Sequence, residues 1–361
     1  MKWQSCKKIL VIRPDNMGDL IMSGPAIRAL KETFNAHITV LTSGMAKNII
    51  AHMPEVDDSI IFDLPWVKTA DTPKPGMLNE VVATIKQGNF GAAVIFTVLS
   101  QNPLPTAMLA YLAGIPQILA YCRENPYQLI NCWVPDKEPY EGIKHQVQRD
   151  LDLVAHVGAY TNNNDLRLLS NYSFSDLNQK LQAYYIELKK PWVILHSGVS
   201  ELKRQYPLHE WALVGKELVE SGYQVLLTGA SSEKAMTDDL QKLIGAGSFS
   251  VAGLLPLNEF ICLVEHAPLL LSVNTGTIHI AAAFKTPTIV LYAQTNPQHT
   301  PWNTPAAILE FSVPQHLKSK NEVIRFLDRK LYSQPVPLPS PAQIIEAAQQ
   351  LLPKQVENAS L

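Results

Sequence analysis

Only 4 of the 361 residues are cysteine, and Cys6, Cys122, Cys132 and Cys262 stand far apart, with no CxxC pair. That spacing argues against a disulfide scaffold or a zinc finger and fits free thiols in a reducing compartment. Net charge is equally scarce: 30 Lys+Arg against 32 Asp+Glu gives −2, without long blocks of either sign. A nucleic-acid binder needs a basic face, so no nucleic-acid partner is expected. Long apolar runs are missing too. The Ile9–Ile12 stretch is too short for a secretion signal. The longest candidate membrane segment, residues 104–121, is broken by Pro105, Gly114 and Pro116 and falls short of the roughly 20 residues that span a bilayer. The expectation is a cytoplasmic protein that still has the option of docking at the inner face of a membrane. A G-x-G-x-x-G fingerprint after the first strand is also absent, which disfavours an NAD-dependent dehydrogenase.

What is present is an ordinary globular composition, 47% hydrophobic, in a chain too long for one core, since single cores stop growing near about 250–300 residues. Short β-branched apolar runs alternate with longer helical patterns, the signature of parallel sheets covered by helices. The first series predicts strands at 9–13, 38–42, 59–63, 92–98 and 117–120, with helices at 24–33, 77–87 and 145–156. A second series, after the Asn-rich stretch 161–165 and a helix at 175–188, predicts strands at 192–196, 224–228, 248–251, 269–273 and 288–292. Its helices fall at 208–221, 232–244, 257–266 and 275–284. The reading is an α/β chain with one doubly wound domain over 1–170 and another over 171–332. A strap with Pro335, Pro337, Pro339 and Pro341 then leads into a last helix, 342–352.

In doubly wound sheets ligands bind beyond the carboxyl ends of strands, and four polar segments fall there. After the first strand comes Arg13-Pro-Asp-Asn-Met-Gly18-Asp19. Gly18 suits a tight turn, and Asp19 is either a general base or an N-cap. Asp15, in the same loop, reads as a turn former. The second segment joins Ser197 and Gly198, small enough for close approach of a ligand, to the cations Lys203 and Arg204; these suit phosphate oxygens or are a solvated pair. The third is Gly229 followed by Glu233, which either holds ribose hydroxyls or answers a helix dipole. The fourth is Asn274-Thr275-Gly276-Thr277-Ile-His279, a strand-to-helix turn whose free amides would receive a diphosphate, with His279 one turn in, either as a ligand contact or as a core residue. The Asp-x-Asp at Asp150 and Asp152 reads as a solvated helix face rather than a metal site.

Taken together, ILVIRPDNMGDLIMSGPAIRALKETF, LKRQYPLHEW and SVNTGTIHIAAAFKTPTIVLYAQTNPQHTPW resemble the opening strand and MGD turn, the K-x-W-P-x-x-x-W segment and the DTG-x-x-H block of glycosyltransferase family 9, the ADP-heptose:lipopolysaccharide heptosyltransferases and their relatives. The resemblance implies a GT-B fold: two Rossmann-like domains facing a central cleft, acceptor on the first and nucleotide-sugar donor on the second, with the closing helix crossing back to the first. It implies an inverting, metal-independent transfer of a heptose-like sugar from a nucleotide-diphosphate donor, ADP-heptose, to an acceptor hydroxyl in bacterial surface glycan synthesis, with no cofactor. The acceptor would be a glycan, a glycolipid or a small molecule. By motif position Asp19 takes the base role, Lys203 and Arg204 the phosphate, Glu233 the nucleoside, and Thr275, Gly276, Thr277 and His279 the diphosphate. The alternatives are a GT-B-shaped sugar-nucleotide epimerase, another nucleotide-sugar transferase, or a non-catalytic nucleotide-sugar binder.

Three departures qualify this reading. Asn274 stands where the family has Asp, and Ala293-Gln294 where it has Gly-x. The acceptor loop, 63–74, offers only Lys68 and Lys74 against Asp63 and Asp71, which argues for an acceptor less anionic than a lipid A core.

Overall fold

A computed structural model describes residues 3–68 and 74–352. By internal contacts the chain divides into two compact units. The first comprises the described residues up to Leu169 together with Asn296–His299 and Lys320–Leu327. The second comprises Ser170–Thr295, Thr300–Ser319 and the described residues from Asp328 onward.

In the first unit the elements run β1 (Lys8–Ile12), α1 (Met17–Met22), α2 (Gly24–Phe34), β2 (His37–Thr42), β3 (Asp58–Ile61), α3 (Met77–Gln87), β4 (Ala92–Ile95), α4 (Leu104–Leu112), β5 (Ile118–Cys122), β6 (Cys132–Pro135) and α5 (Gln146–Ala155). They build a parallel six-stranded sheet of order β3-β2-β1-β4-β5-β6. β1 is central, and Ile9, Leu10, Val11 and Ile12 are all fully buried. This is the continuous apolar run expected of a strand covered on both faces, each such side chain contributing about 1.5–3 kcal/mol by burial.

The second unit repeats the plan with α6 (Phe174–Gln182), β7 (Trp192–His196), α7 (Leu208–Glu220), β8 (Gln224–Leu227), α8 (Lys234–Ile244), β9 (Ser248–Ser250), α9 (Leu257–Glu265), β10 (Leu270–Val273), α10 (Thr277–Phe284), β11 (Thr288–Ala293) and β12 (Ala306–Phe311). Its strand order is β12-β11-β10-β7-β8-β9. α11 (Glu322–Leu331) and α12 (Pro341–Leu351) follow. Counted within each unit, both sheets have the order 3-2-1-4-5-6 or its reverse, so each reverses direction between its first and fourth strands. Those are β1 and β4 in one unit and β7 and β10 in the other. Ligands of such sheets bind beyond the carboxyl ends at that reversal.

The closing helix corrects the expectation of a crossing back. Ile344, Ala347 and Ala348 of α12 are buried in the second unit's own core, with Trp211 and Val214 of α7 and Leu291 of β11. The reason is local. The proline strap runs beside the end of β12, where Ser312 N donates to the Val336 carbonyl at 3.0 Å, and Tyr206 Oη donates to the Pro339 carbonyl at 2.6 Å. Ser340 then caps α12, with Pro341 in its first turn. The segments from the far half of the chain that do join the first unit are Asn296–His299 and Lys320–Leu327.

Candidate active site

In the first unit the backbone leaves β1 with the Arg13 amide still donating to the Leu41 carbonyl at 3.0 Å, so the Arg13 side chain starts inside the fold and is fully buried. A buried guanidinium requires carboxylates. Its Nη2 donates to Asp19 Oδ1 at 3.1 Å, and its Nε lies 3.2 Å from Asp15 Oδ2. Burial disfavours the Arg13 charge, but Asp15, Asp19 and Asp150 outweigh it and hold the group above the ordinary guanidinium range. Arg13 Nη1 is buried without a hydrogen-bond partner among the described residues.

Asp19 is therefore not the helix cap: Asn16 occupies that position and Asp19 is the third residue of α1. Gly18 is its second residue, a helical position rather than the turn the sequence suggested. Asp15 is more than a turn former. Its buried carboxyl also accepts from Gln101 Nε2, and burial pushes it up to about 6 against the pull of Arg13. Asp150 corrects the solvated-face reading. It is buried in α5, accepts from Ser23 Oγ at 2.7 Å and Gln146 Nε2 at 2.8 Å, and is pushed by burial to about 6. Asp152 does face outward, paired with Lys144.

The segment Asn296–His299 completes this cluster within the unit. Gln298 is fully buried. Its Oε1 accepts from the Leu99 amide at 3.3 Å, and its Nε2 donates to Glu138 Oε2 at 3.3 Å and the Lys144 carbonyl at 3.2 Å. So anchored, the segment brings His299 Nε2 to 3.7 Å from Asp19 Oδ1. The sequence reading passed over His299.

Around these residues the first unit's cations are mostly spoken for. Arg28 pairs with Glu55, Arg123 with Asp136, and Arg149 with Asp136 and Glu138. A cavity of about 760 Å³ beside β6 and α5 is lined by Tyr121, Asp136, Glu138, Lys144 and Arg149 among others, so its charges largely answer one another. In the 63–74 stretch, Asp63 accepts from the Gly44 amide at 2.8 Å; Asp71 lies outside the described residues.

In the second unit the predicted residues converge at the ends of β7, β8 and β10. Glu233 caps α8, and its carboxylate turns back to accept from the Ala230 amide at 2.7 Å. It occupies the space over two glycines: a Cβ on Gly198 would come within 2.0 Å of Glu233 Oε1, and one on Gly229 within 2.8 Å of Oε2. A side chain at either position would have to push the Glu233 carboxylate aside. His196 Nδ1 lies 2.9 Å from Thr228 Oγ1, and burial holds its ring below the usual imidazole range while the Glu233 charge opposes.

Arg204 Nη1 donates to the Asn274 carbonyl at 3.0 Å, tying the cationic segment to the turn before α10. The pair is less bare than the sequence suggested, because Glu201 lies 3.2 Å from Lys203 and 3.4 Å from Arg204. Asn274 Nδ2 lies 3.2 Å from Thr295 Oγ1 and 3.4 Å from the Ala293 carbonyl. Aspartate could not donate to that carbonyl, so the amide fits this turn. Gln294 likewise continues the strand pairing, its amide donating to the Phe311 carbonyl at 2.9 Å.

α10 begins at Thr277 with Gly276 as its cap. The Thr275 amide is already used by the Val273 carbonyl at 2.8 Å, which corrects the expectation of three free amides and leaves Gly276 and Thr277. His279 is buried in the helix's first turn. Ser197 Oγ, Asn274 Oδ1 and Arg204 Nε are buried polar atoms with no hydrogen-bond partner among the described residues. Unmet buried groups are costly, about 1–3 kcal/mol each, unless a ligand or water completes them. Their grouping here, at a sheet reversal beside a helix N-terminus, suits a polyanionic ligand.

Comparison with known proteins agrees with this geometry. The model of the family described as glycosyltransferase family 9 (heptosyltransferase) matches residues 85–325. Lipopolysaccharide heptosyltransferase 2 of Escherichia coli (strain K12) is 24% identical over 306 residues, covering 81% of this chain and 85% of its own. Among solved structures, the glycosyl transferase family 9 protein of Veillonella parvula DSM 2008 superposes with a TM-score of 0.76 at 17% identity, covering 97% of this chain and 98% of that one. The E. coli ADP-heptose lps heptosyltransferase II does so with a TM-score of 0.72 at 20% identity, over 95% and 98%. At these identities the structural likenesses are of fold, and the fold is of the GT-B class.

Proposed function

This chain belongs to glycosyltransferase family 9, and from that premise we propose that it transfers a heptose from ADP-heptose to a hydroxyl of a lipopolysaccharide-type acceptor. The transfer is a single displacement with inversion. Asp19 takes the proton of the acceptor hydroxyl as its oxygen attacks the anomeric carbon, and ADP departs from the opposite face. Arg204, Lys203 and the amides of Gly276 and Thr277 receive the charge that builds on the leaving diphosphate, so the displacement draws on no metal. Glu233 holds the ribose hydroxyls.

The observation that carries the reading is Asp19 itself. It stands beyond the carboxyl end of β1, in the first turn of α1 rather than at its cap, and is oriented by the buried Arg13. Support on the donor side comes from the three unmet buried atoms of Ser197, Arg204 and Asn274. The names of the relatives supply heptose and ADP. The paired state of Arg28, Arg123 and Arg149 favours an acceptor region of modest anionic charge, and such an acceptor, borne on a lipid, sets the enzyme against the cytoplasmic face of a membrane.

Thermal unfolding with ADP, UDP and GDP and their sugars tests the donor site, since a ligand at about 100 times its Kd stabilises by ~2.7 kcal/mol. Asp19→Asn tests the base. ADP binding should persist while turnover falls by at least about 100-fold; unchanged turnover would remove Asp19 from the mechanism.

A further inference from the structure

Asp150 lies on the inward stripe of α5 with Val147, Leu153 and Val154 and is 1% exposed. A carboxyl is costly there unless it is paired or protonated, and the fold supplies it with partners. Gln146, one turn back on the same helix, donates to its Oδ1 at 2.8 Å, and Ser23 donates to its Oδ2 at 2.7 Å. Arg13 acts on it by charge. Ser23 and Arg13 also act on Asp19. Ser23, itself fully buried, closes α1 and opens α2, and its Oγ lies 3.2 Å from the Asp19 carbonyl. Arg13 donates to the Asp19 carboxylate at 3.1 Å. Asp150 is thus joined to Asp19 along two paths, one through a hydroxyl and one through a guanidinium.

Both paths respond to the charge on Asp150. The Ser23 hydroxyl has one proton to give. An ionised Asp150 only accepts, so it takes that proton; a protonated Asp150 donates to Ser23 Oγ instead and releases the hydroxyl to the Asp19 carbonyl. Arg13 is shared in the same way. Each negative charge beside it weakens its hold on the others, so an ionised Asp150 leaves the Asp19 carboxylate freer to take a proton. We propose that Asp150 is a positioning residue of the transfer, holding Asp19 ready to accept the proton of the acceptor hydroxyl through Ser23 and Arg13. The role presupposes Asp19 as the base. Burial pushes the Asp150 carboxyl up to about 6, so its charge changes between pH 5 and pH 8. Arg149 of its own helix and Tyr121 of β5 also bear on it, and both keep their state across that range. α2, packed along α5, sends its one buried charge, Arg28, to Glu55 instead.

The test is the pH profile of kcat for the full chain, with ADP-heptose as donor and lipopolysaccharide truncated in its heptose region as acceptor. Asp150→Asn copies the protonated carboxyl, its side-chain oxygen still accepting from Gln146 and its amide donating to Ser23. It should lower kcat about tenfold at pH 8 with KM for ADP-heptose unchanged, and match wild type within about twofold at pH 5, where the wild-type carboxyl holds its proton. Asp15 and His299 are present in both proteins, so the ratio of the two profiles reports Asp150. Ser23→Ala removes a donor that favours the ionised carboxyl, so the rise of kcat should move to higher pH. A ratio that is the same at pH 5 and pH 8, or a loss seen only in KM or the thermal midpoint, overturns the proposal. So does a Ser23→Ala profile that coincides with that of wild type. Asp19→Asn, assayed beside them, separates the two roles. Turnover retained there removes the base itself, whereas turnover lost there with a flat Asp150 ratio removes only the part given to Asp150.

Discussion

Replacing Arg13 by Gln removes the buried cation that acts on Asp15, Asp19 and Asp150 together. Arg13 is fully buried, and its ion pairs with Asp15 and Asp19 measure 3.2 and 3.1 Å. Taking one partner from a buried ion pair strands the other and costs about 3–5 kcal/mol. The size of the loss should depend on pH in a defined sense. Asp15 and Asp150 are already pushed by burial to about 6. A carboxyl whose folded pKa lies above its unfolded value of 3.8 favours folding fully only below that value, and the contribution is lost as pH rises through about 6. Arg13 pulls both groups down, so without it both must rise further. Urea unfolding of wild type and variant at pH 5 and pH 8 checks this. The deficit of the variant should approach the full ~3–5 kcal/mol at the higher pH, where the stranded carboxyls must ionise, and shrink markedly at the lower, where they hold protons. A deficit below about 1 kcal/mol, or one equal at both pH values, would refute the idea that these charges form a coupled buried cluster.

Three further outcomes follow from the same geometry. Gly198→Ala should displace the Glu233 carboxylate, which a Cβ would approach to 2.0 Å, and weaken ADP binding about 10- to 100-fold by calorimetry. Because a flexible side-chain end is what moves, stability should change by only about 1 kcal/mol. His299→Gln should lower kcat about tenfold with little change in the affinity for ADP, since His299 lies 3.7 Å from Asp19 and acts through the base; an effect confined to ADP affinity would count against it. Ile344→Ala in α12, a fully buried site, should destabilise the second unit by about 2–5 kcal/mol in chemical unfolding, and leave hydrogen exchange at the β1 amides unaltered.

The second unit was more legible in the sequence than the first, for a physical reason. Trp192–His196, Gln224–Leu227 and Thr288–Ala293 are compact β-branched runs ending at glycine or at small polar residues, and local pattern alone marks them. The first unit instead hides its chemistry in tertiary context. Arg13 reads locally as a solvent cation; it is buried because β1 is central and the backbone keeps pairing with β2 beyond Ile12. Asp150 did carry a signal: it falls on the stripe of Val147, Leu153 and Val154 in α5, where a charge must be paired or protonated. β6, β12 and α4 went unread because Cys132–Pro135 is short, Ala306–Phe311 alternates only weakly, and the prolines at 103 and 105 precede a helix they in fact begin. His299 lacked any local cue, since its neighbour Asp19 lies 280 positions away in the chain.

The burial of Gln298 bears on the order in which this protein can be assembled. Domains usually fold as they leave the ribosome, the amino-terminal one first. Here the first unit reaches residue 169 with the Leu99 amide, the Glu138 carboxylate and the Lys144 carbonyl still waiting for a side chain that is translated only after β11 of the other unit. The nascent first unit can collapse early, yet Asp19 acquires its His299 neighbour only after β11 has been made. A nascent chain truncated at Leu169 should therefore be a compact but chemically unfinished body, and the surroundings of Asp19 are completed only after β7 to β11 of the second unit have been made.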